Sequence, residues 1–205
     1  MILLDVGNTR AHLWADSKVE HLPVDEAIAR YHARRVGYIN VNPHQADALS
    51  AIAGWHDLNA DLHLPGDYPT MGVDRRALCI ARNEGIFIDA GSAITVDKVV
   101  KGRYQGGFIL PGLSAYHRMY ASISPALDVP LEPVALGSLP TTTQNSVNFG
   151  TIAPIIAIIQ TIRDDLPLYI TGGDGQTIAA YFDDATYDET LVFQGMQNAL
   201  KRKNP

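Results

Sequence analysis

The chain opens with ILLDVGNTR, residues 2–10, and this stretch decides how the rest is interpreted. Apolar residues lead into Asp5 and a Val-Gly turn, followed by three polar residues, Asn8, Thr9 and Arg10. The pattern predicts a short buried strand that ends in a tight turn, where Gly7 permits a backbone conformation that a Cβ would resist. Backbone N–H groups and the polar side chains of this turn can donate to phosphate oxygens, and Asp5 can hold Mg²⁺ directly or through water. An ordinary hairpin in which Asp5 caps its own turn remains the alternative.

Composition limits the class of protein. With 205 residues, 46% hydrophobic and 19% charged, the chain is an ordinary globular protein of one domain or two small ones. Its net charge of −6 argues against a nucleic-acid or anionic-membrane partner. The short basic pairs Arg34-Arg35 and Arg75-Arg76 are most simply solvated surface. The single Cys79 cannot form an internal disulfide, which fits a reducing compartment.

The N-terminal residues and the length of the longest apolar run both favour a cytoplasmic protein. Asp5 follows only three apolar residues after Met1, so we expect no signal peptide. The longest apolar run, Ile152–Ile159, is far shorter than the ~20 residues that a membrane-spanning helix needs. We therefore expect no membrane partner.

A second stretch repeats the logic of the first. IFIDAGS, residues 86–92, has the same order as LLDVGNT, residues 3–9: apolar strand, Asp, small residue, Gly, polar residue. Both are followed by a further predicted strand, at 93–100 and 11–15. The repeat indicates two like-folded halves whose phosphate-binding turns face each other across a cleft.

Periodicity and turn residues predict the remaining elements. Helices are expected at 24–34, from Pro43 to about Gly54, from Val73 to near Gly85, at 113–122, 145–166, from Gln176, and at 195–203. Further strands are expected at 36–41, 104–110, 168–171 and 191–193. A stripe that is core or subunit interface is formed at helical spacing by Ile152, Ile155, Ile156, Ile159 and Ile162. Asp74 falls in the first turn of its helix, where capping alone would explain an acidic residue.

One pair of glycines lies inside a predicted strand, and another pair follows directly after one. Gly106-Gly107 lets another backbone or a ligand approach closely. Gly172-Gly173-Asp174 follows a strand, and such a junction allows a flat group such as a nucleoside to lie against the backbone. A plain turn is an equally good interpretation of this segment.

Taken together, five segments resemble type III pantothenate kinase: DVGNTR at 5–10, GVDR at 72–75, DAGSAITVD at 89–97, GGFILPG at 106–112 and GGD at 172–174. The resemblance implies an α/β fold of two similar ribonuclease H-like (actin-like ATPase) halves, as in acetate and sugar kinases, with ATP in the cleft between them. The corresponding halves would be residues 1–72 and 73–205, connected by the helix at 73–84. This agrees with the internal repeat.

The resemblance also implies a reaction: transfer of the ATP γ-phosphoryl group to the primary hydroxyl of pantothenate, the first step of coenzyme A biosynthesis. It implies ATP, Mg²⁺ and a monovalent cation, K⁺ or NH₄⁺, as cofactors. A homodimer is the implied assembly.

Site residues carry over where this sequence matches the family's motifs. Asp74 would be the general base, Asp89 would bind the monovalent cation, and Asp5 would hold Mg²⁺ through water. The residues implied for ATP are Asp5, Val6, Gly7, Asn8, Thr9, Arg10, Ala11, His12 and Ser92. Those implied for pantothenate are Tyr68, Gly72, Val73, Asp74, Arg75 and Thr143.

The chain departs from the family pattern in three respects. Ser92 replaces a usual Thr and keeps the hydroxyl, Tyr68 lies unusually close to Gly72, and the first half is short. Two other functions remain open: a kinase of the same superfamily that acts on a sugar or small acid, and a non-catalytic regulator of the kind that resembles this family.

Overall fold

The computed structural model describes residues 1–7 and 10–203, so Asn8 and Thr9, two predicted phosphate donors, lie outside the described residues. The chain forms two compact units. Unit 1 comprises residues 1–83, 99–105 and 189 onwards, and unit 2 comprises 84–98 and 106–188. The sequence-based boundary after Gly72 falls inside unit 1, to which the chain returns twice.

Unit 1 contains a five-stranded sheet in the order β3-β2-β1-β4-β5. The strands are β1 Ile2–Val6, β2 Ala11–Ala15, β3 Lys18–Leu22, β4 Val36–Asn40 and β5 Trp55–Asp57. β1 is antiparallel to β2 and parallel to β4, which is parallel to β5. One face of this sheet is closed by a core that includes Ile2, Leu4 and Val6 of β1. Strands β3 and β5 were not predicted.

Three helices follow the strands of unit 1: α1 Val24–Tyr31, α2 Ala46–Ser50 and α3 Val73–Ile80. Short 3-10 turns lie at Pro43–Gln45 and Asn59–Asp61. The helix predicted from Pro43 to about Gly54 is therefore shorter than expected. Its first turn is 3-10 in form, and Gly54, at φ +84°, lies in a conformation that ends a helix.

Unit 2 repeats the strand order of unit 1. Its strands are β6 Gly85–Ala90, β7 Ala93–Val100, β8 Arg103–Pro111, β9 Leu168–Thr171 and β10 Thr186–Tyr187, and only the hairpin end that joins β7 to β8, residues 99–105, belongs to unit 1. They lie in the order β8-β7-β6-β9-β10, with β6 parallel to β9 and β9 parallel to β10. Both sheets thus place the first strand centrally, with the next two strands on one side and the last two on the other. This confirms the two like-folded α/β halves inferred from the repeat.

The helices of unit 2 are α4 Leu113–Ile123, α5 Thr143–Arg163 and α6 Gly175–Ala179. By length and composition alone, α5 could cross a membrane. However, Ile152, Ile155, Ile156 and Ile159 are 0–3% exposed and pack in the core of unit 2. The isoleucine stripe is therefore core, and its use as a dimer surface is ruled out by burial within the chain itself.

The last helix, α7 Leu191–Lys203, corrects one prediction. Leu191, Val192 and Phe193 were expected to form a strand, but they are the first turn of α7 and are buried. A three-residue apolar run has no period of its own, so packing decides its conformation. Here α7 packs along α3, and the Gln194 side chain accepts a hydrogen bond from Arg82 at 2.7 Å.

Candidate functional site

The first predicted phosphate turn closes directly after β1. The Gly7 N–H donates to the Arg10 carbonyl at 3.0 Å, and a Cβ on Gly7 would lie 3.1 Å from that oxygen. The Val6 carbonyl accepts from the Val41 N–H at 3.0 Å, which ties the turn to the segment after β4. Arg10 is exposed at the rim of this turn. A side chain at position 7 would therefore be in tight contact with the turn, although Gly7 is not among the glycines with positive φ.

Three titratable side chains form a row across β1, β2 and β3. Asp5 is the direct cross-strand partner of His12, and His12 is the direct partner of His21. Directly opposed residues share one face of a sheet, so all three lie on the face opposite the core that contains Leu4 and Val6. The row lies beside the phosphate turn, and its side chains can bind protons or, in the histidines, donate hydrogen bonds.

The two histidines contact each other through their rings. Their Nδ1 atoms are 2.6 Å apart, and the rings meet edge to face. Burial, the nearby His21 and the charge of Arg10 together lower the pKa of His12 to about 4. At neutral pH His12 is therefore an uncharged imidazole, which offers one N–H donor rather than a positive charge.

The second predicted turn lies in unit 2 between β6 and β7. Asp89 is part-buried near the end of β6, and the Gly91 N–H donates to the Ala93 carbonyl at 3.0 Å. Gly112, the last residue of the GGFILPG motif, donates its N–H to the Ser92 carbonyl at 3.2 Å. A Cβ at position 112 would overlap the backbone oxygens of this turn. The end of the GGFILPG motif therefore packs directly against the backbone of the Asp89–Ser92 segment.

The late glycine-rich turn lies against the same segment. Gly172 has φ +90°, and a Cβ there would lie 2.5 Å from the Asp89 carboxylate oxygen Oδ1. The Asp174 N–H donates to the Ala90 carbonyl at 2.9 Å, and burial raises the pKa of the Asp174 carboxyl. The glycine at 172 is thus required by close approach to Asp89, a role that the sequence did not reveal.

Asp74 lies over the first turn of α3. Its Oδ1 accepts a hydrogen bond from the Arg75 N–H at 2.7 Å. A Cβ at Gly72 would overlap this same Oδ1. The glycine of the GVDR segment therefore leaves room for one orientation of the Asp74 carboxylate.

Arg75 is buried rather than solvated, which corrects the prediction that the Arg75-Arg76 pair is surface. The residue is 6% exposed, and its guanidinium donates to the Tyr68 hydroxyl at 2.8 Å and to the Tyr104 hydroxyl at 3.4 Å. Tyr68 is 39% exposed, so its ring remains accessible. Tyr104 was missed by sequence reasoning because no motif surrounds it.

The loop that carries Tyr68 is held by Arg76. The Arg76 Nε lies 2.7 Å from the Asp67 carboxylate, and its Nη2 donates to the Tyr68 carbonyl at 3.1 Å. The Tyr68 carbonyl also accepts from the Met71 N–H at 3.0 Å. Arg76 therefore fixes the backbone on which Tyr68 is presented.

Thr143 lies in unit 2 as the exposed first residue of α5. It lines an open depression of about 570 Å³ whose walls carry five hydroxyl groups; the lining residues are Tyr120, Leu127, Pro140, Thr141, Thr142, Thr143, Ser146 and Val147. The Thr142 hydroxyl accepts from the Asn145 N–H at 3.3 Å and caps the helix. The depression can bind polar groups through hydroxyl donors and acceptors.

Each predicted cation site offers one predicted carboxylate ligand, so a cation there would keep bound water or take further oxygen ligands from a bound molecule. Within residues 1–7 and 10–203, no group of three or more His, Cys, Asp and Glu side chains is placed to hold a metal ion. Mg²⁺ in kinases is commonly held by one or two carboxylates together with phosphates and water, so Asp5 beside the first turn fits it. The Asp89 carboxylate and neighbouring backbone carbonyls are hard oxygen ligands of the kind that K⁺ accepts.

The structure groups the predicted residues by unit. The described members of the first phosphate turn and the set Tyr68, Gly72, Val73, Asp74 and Arg75 belong to unit 1, whereas Asp89, Ser92 and Thr143 belong to unit 2. The residues added by the structure are Tyr104, Arg76 and His21 in unit 1, and Gly112 and Gly172 in unit 2. Of these, only the two glycines lie within motifs that the sequence displayed.

Comparison with known proteins identifies close sequence relatives. The family model for type III pantothenate kinase matches residues 53–165. The type III pantothenate kinase of Helicobacter hepaticus is 40% identical over 99% of this chain and 100% of that protein. The corresponding Campylobacter jejuni protein is 36% identical over 100% of this chain and 98% of its own length.

Solved structures show the same architecture. A Campylobacter jejuni protein assigned to the Baf family of transcriptional activators has a TM-score of 0.90 and 34% identity, with 100% of this chain and 99% of that chain covered. A Sinorhizobium meliloti protein described as a 2-dehydro-3-deoxygalactonokinase has a TM-score of 0.56 at 12% identity, over 100% and 99% of the two chains. The second likeness concerns the fold alone, and it agrees with the predicted actin-like, sugar-kinase architecture.

Proposed function

The chain belongs to the type III pantothenate kinase family, and from this premise we propose that it transfers the γ-phosphoryl group of ATP to the primary hydroxyl of pantothenate. The product is 4′-phosphopantothenate, the first intermediate on the route to coenzyme A. One observation carries the proposal, the full-length likeness to curated pantothenate kinases. The GVDR segment, which presents Asp74 and buried Arg75 on one helix turn, agrees with it.

ATP is proposed to bind through the two glycine-containing turns. Val6, Gly7, Arg10 and Ala11 would contribute backbone groups or the Arg10 charge at the first turn, with Asn8 and Thr9 beside them. His12, as a neutral imidazole, would add an N–H donor, and the exposed Ser92 hydroxyl would serve the second turn. Phosphoryl transfer needs positioning and charge neutralisation more than covalent help, and such donors supply both.

Asp74 is proposed as the general base. Its Oδ1 is oriented by the Arg75 N–H, so the carboxylate does not rotate freely over the helix terminus. A base that reaches the substrate hydroxyl at hydrogen-bond distance typically adds ~10²–10⁴-fold in rate. The proton would move from the pantothenate hydroxyl to this carboxylate as the phosphoryl group arrives.

Pantothenate is proposed to contact Tyr68, Gly72, Val73 and Arg75, with Thr143 as a further contact. The Arg75 guanidinium offers a planar fork of donors to amide or carboxylate oxygens of the substrate. Tyr68 is the exposed partner of this guanidinium and can cover the substrate at the same time.

Two cations are proposed as cofactors. Mg²⁺ would be held near Asp5 through water, and K⁺ or NH₄⁺ would be held by Asp89. When bound, these ions neutralise negative charge on the phosphates. Close packing of Gly172 on the Asp89 carboxylate supports a fixed position for that ligand.

We also propose a cytoplasmic homodimer. Unit 2 exposes several large apolar side chains, namely Ile109, Met119, Ile123, Leu139 and Ile158, and a second copy of the chain is the expected cover. In family members the threonine that corresponds to Thr143 contacts substrate near the dimer interface. A stable monomer in sedimentation at micromolar concentration would count against this assembly.

The deciding experiment is direct detection of 4′-phosphopantothenate with purified protein, ATP and Mg²⁺, in K⁺ and with Na⁺ substituted. Product is expected with K⁺ and much less with Na⁺. A panel of sugars and acetate tests the acceptor. Turnover with one of these but not with pantothenate would assign the chain to another kinase class.

The name of the Campylobacter jejuni structure favours a second candidate, a transcriptional regulator. Asp5, Asp74 and Asp89 are all present, and a purely regulatory protein would not need all three. ATP binding without turnover of any acceptor, in the presence of K⁺, would favour the regulator.

A further inference from the structure

We propose that Tyr104 is a positioning residue for substrate binding, because its hydroxyl holds the Arg75 guanidinium in the orientation that receives pantothenate. This inference rests on the proposed function and adds a residue to the same site. Tyr104 does not itself need to touch the substrate.

The argument begins with the burial of a charge. Arg75 is 6% exposed, and a buried guanidinium is costly unless its N–H groups are hydrogen bonded. Two of its partners are neutral phenol oxygens, at 2.8 Å from Nη1 and 3.4 Å from Nη2. The two phenol oxygens therefore orient the guanidinium fork through both of its terminal nitrogens.

The two tyrosines differ in exposure. Tyr68 is 39% exposed, whereas Tyr104 is 6% exposed, and their ring centroids are 6.1 Å apart. Tyr68 can therefore contact a ligand directly. Tyr104 contacts both Arg75 and the Tyr68 ring, and through them we expect it to act on a ligand.

The backbone around Tyr104 is pinned within unit 1. Lys101 and Gly102, with φ +50° and +71°, form the two-residue turn between β7 and β8. The Gly102 N–H donates to the Asn83 carbonyl at 2.6 Å, and the Tyr104 N–H donates to the Pro65 carbonyl at 2.8 Å. These two hydrogen bonds hold the backbone at Tyr104 and at the turn that precedes it.

Close packing of Gly66 adds a third restraint. A Cβ on this glycine, whose φ is +88°, would lie 2.8 Å from the Tyr104 carbonyl oxygen. The segment that precedes the Tyr68 loop is thus in direct contact with the Tyr104 backbone. The pinned hairpin and the loop together hold the phenol against Arg75.

The test is Tyr104→Phe, measured by steady-state kinetics with pantothenate and ATP varied separately. We expect the KM for pantothenate to rise about three- to tenfold, because one oriented hydrogen bond to a charged donor is lost. The kcat and the KM for ATP should stay within about twofold of wild type. A purely structural defect would instead lower the melting temperature and affect both substrates.

A double-mutant cycle tests whether Tyr104 acts through Arg75. In an Arg75→Lys background the planar fork is absent, so Tyr104→Phe should raise the KM for pantothenate by a much smaller factor. The matched control is Tyr181→Phe, which removes a hydroxyl that accepts from the Val134 N–H in unit 2. That control should leave both KM values unchanged.

Two outcomes overturn the proposal: an unchanged KM for pantothenate in Tyr104→Phe, or an equal rise in the wild-type and Arg75→Lys backgrounds. Either result leaves the pantothenate kinase assignment standing if the wild-type protein forms 4′-phosphopantothenate. Failure of the wild-type protein to form that product would instead overturn the proposed function.

Discussion

At the scale of single residues, Asp74 has both a structural and a chemical role. Its Oδ1 accepts the Arg75 N–H within the first turn of α3, while the carboxylate charge is what a general base requires. The two roles are separable because Asn keeps an acceptor oxygen of the same shape but cannot take up the proton.

Asp74→Asn should therefore lower kcat by ~10²–10⁴-fold while ATP affinity and the melting temperature change little. Rapid-quench or coupled assays measure the first quantity, and calorimetry measures the others. Near-normal turnover would remove Asp74 from the base role.

Gly72→Ala tests the orientation of the same carboxylate. The added methyl group would overlap Asp74 Oδ1, and the side-chain end yields more easily than the backbone. We expect kcat to fall at least about tenfold, because small misplacements of a catalytic group are costly. The free energy of unfolding should change by no more than about 1 kcal/mol, since the site is a helix N-cap that has no side-chain cap. A variant with wild-type kcat would show that the orientation of the carboxylate is not limiting.

At the scale of elements, the position of α3 depends on α7. Gly195 lies so close to the Ala77 carbonyl that a Cβ would overlap it. The Asn198 side chain donates to the Ile80 carbonyl at 3.2 Å, near the end of α3. The C-terminal helix is thus fitted against the helix that carries Asp74 and Arg75.

Gly195→Ala should destabilise the protein by about 1–3 kcal/mol or more, because the backbone of α3 or α7 must shift to admit the methyl group. Urea unfolding measures the change. Gly137→Ala is the matched control, since a Cβ there has no heavy atom within 4 Å, and it should be nearly neutral. Equal stability of the two variants would contradict the close packing of α3 on α7.

At the scale of the whole molecule, His12 links stability to pH. The pKa of His12 is about 4 in the folded chain, below its ordinary value of 6.5, mainly because of burial. The unfolded chain therefore binds the proton first as pH falls below 6.5. The stability contribution is fully present above pH 6.5 and is lost progressively between pH 6.5 and 4.

We expect this loss to be about 1–2 kcal/mol after allowance for partial exposure. It is measured as the difference in free energy of unfolding between pH 7 and pH 4.5, for wild type and for His12→Gln. The variant should lose less stability over this interval. An identical loss in both proteins would assign the pH dependence to other groups.

The two-fold repetition of the fold could be predicted, whereas the division into units could not. Each Asp-x-Gly block, at residues 5–7 and 89–91, lies at the end of the first strand of its sheet, so a local sequence pattern is enough to predict it. The return of residues 99–105 and of the C-terminal helix to unit 1 depends on contacts that are distant in sequence. The short strands β3, β5 and β10 likewise depend on neighbours more than on their own residues.

By itself, the sequence determined the family and the α/β repeat, because strand–Asp–Gly turns and the GVDR segment are short-range patterns; its site residues stay predictions. Only the tertiary structure decided that Leu191–Phe193 is helical, that the isoleucine stripe is core, and that Tyr104 holds Arg75. The physical reason is that burial and hydrogen-bond partners depend on which distant segments meet, and a local pattern does not contain that information.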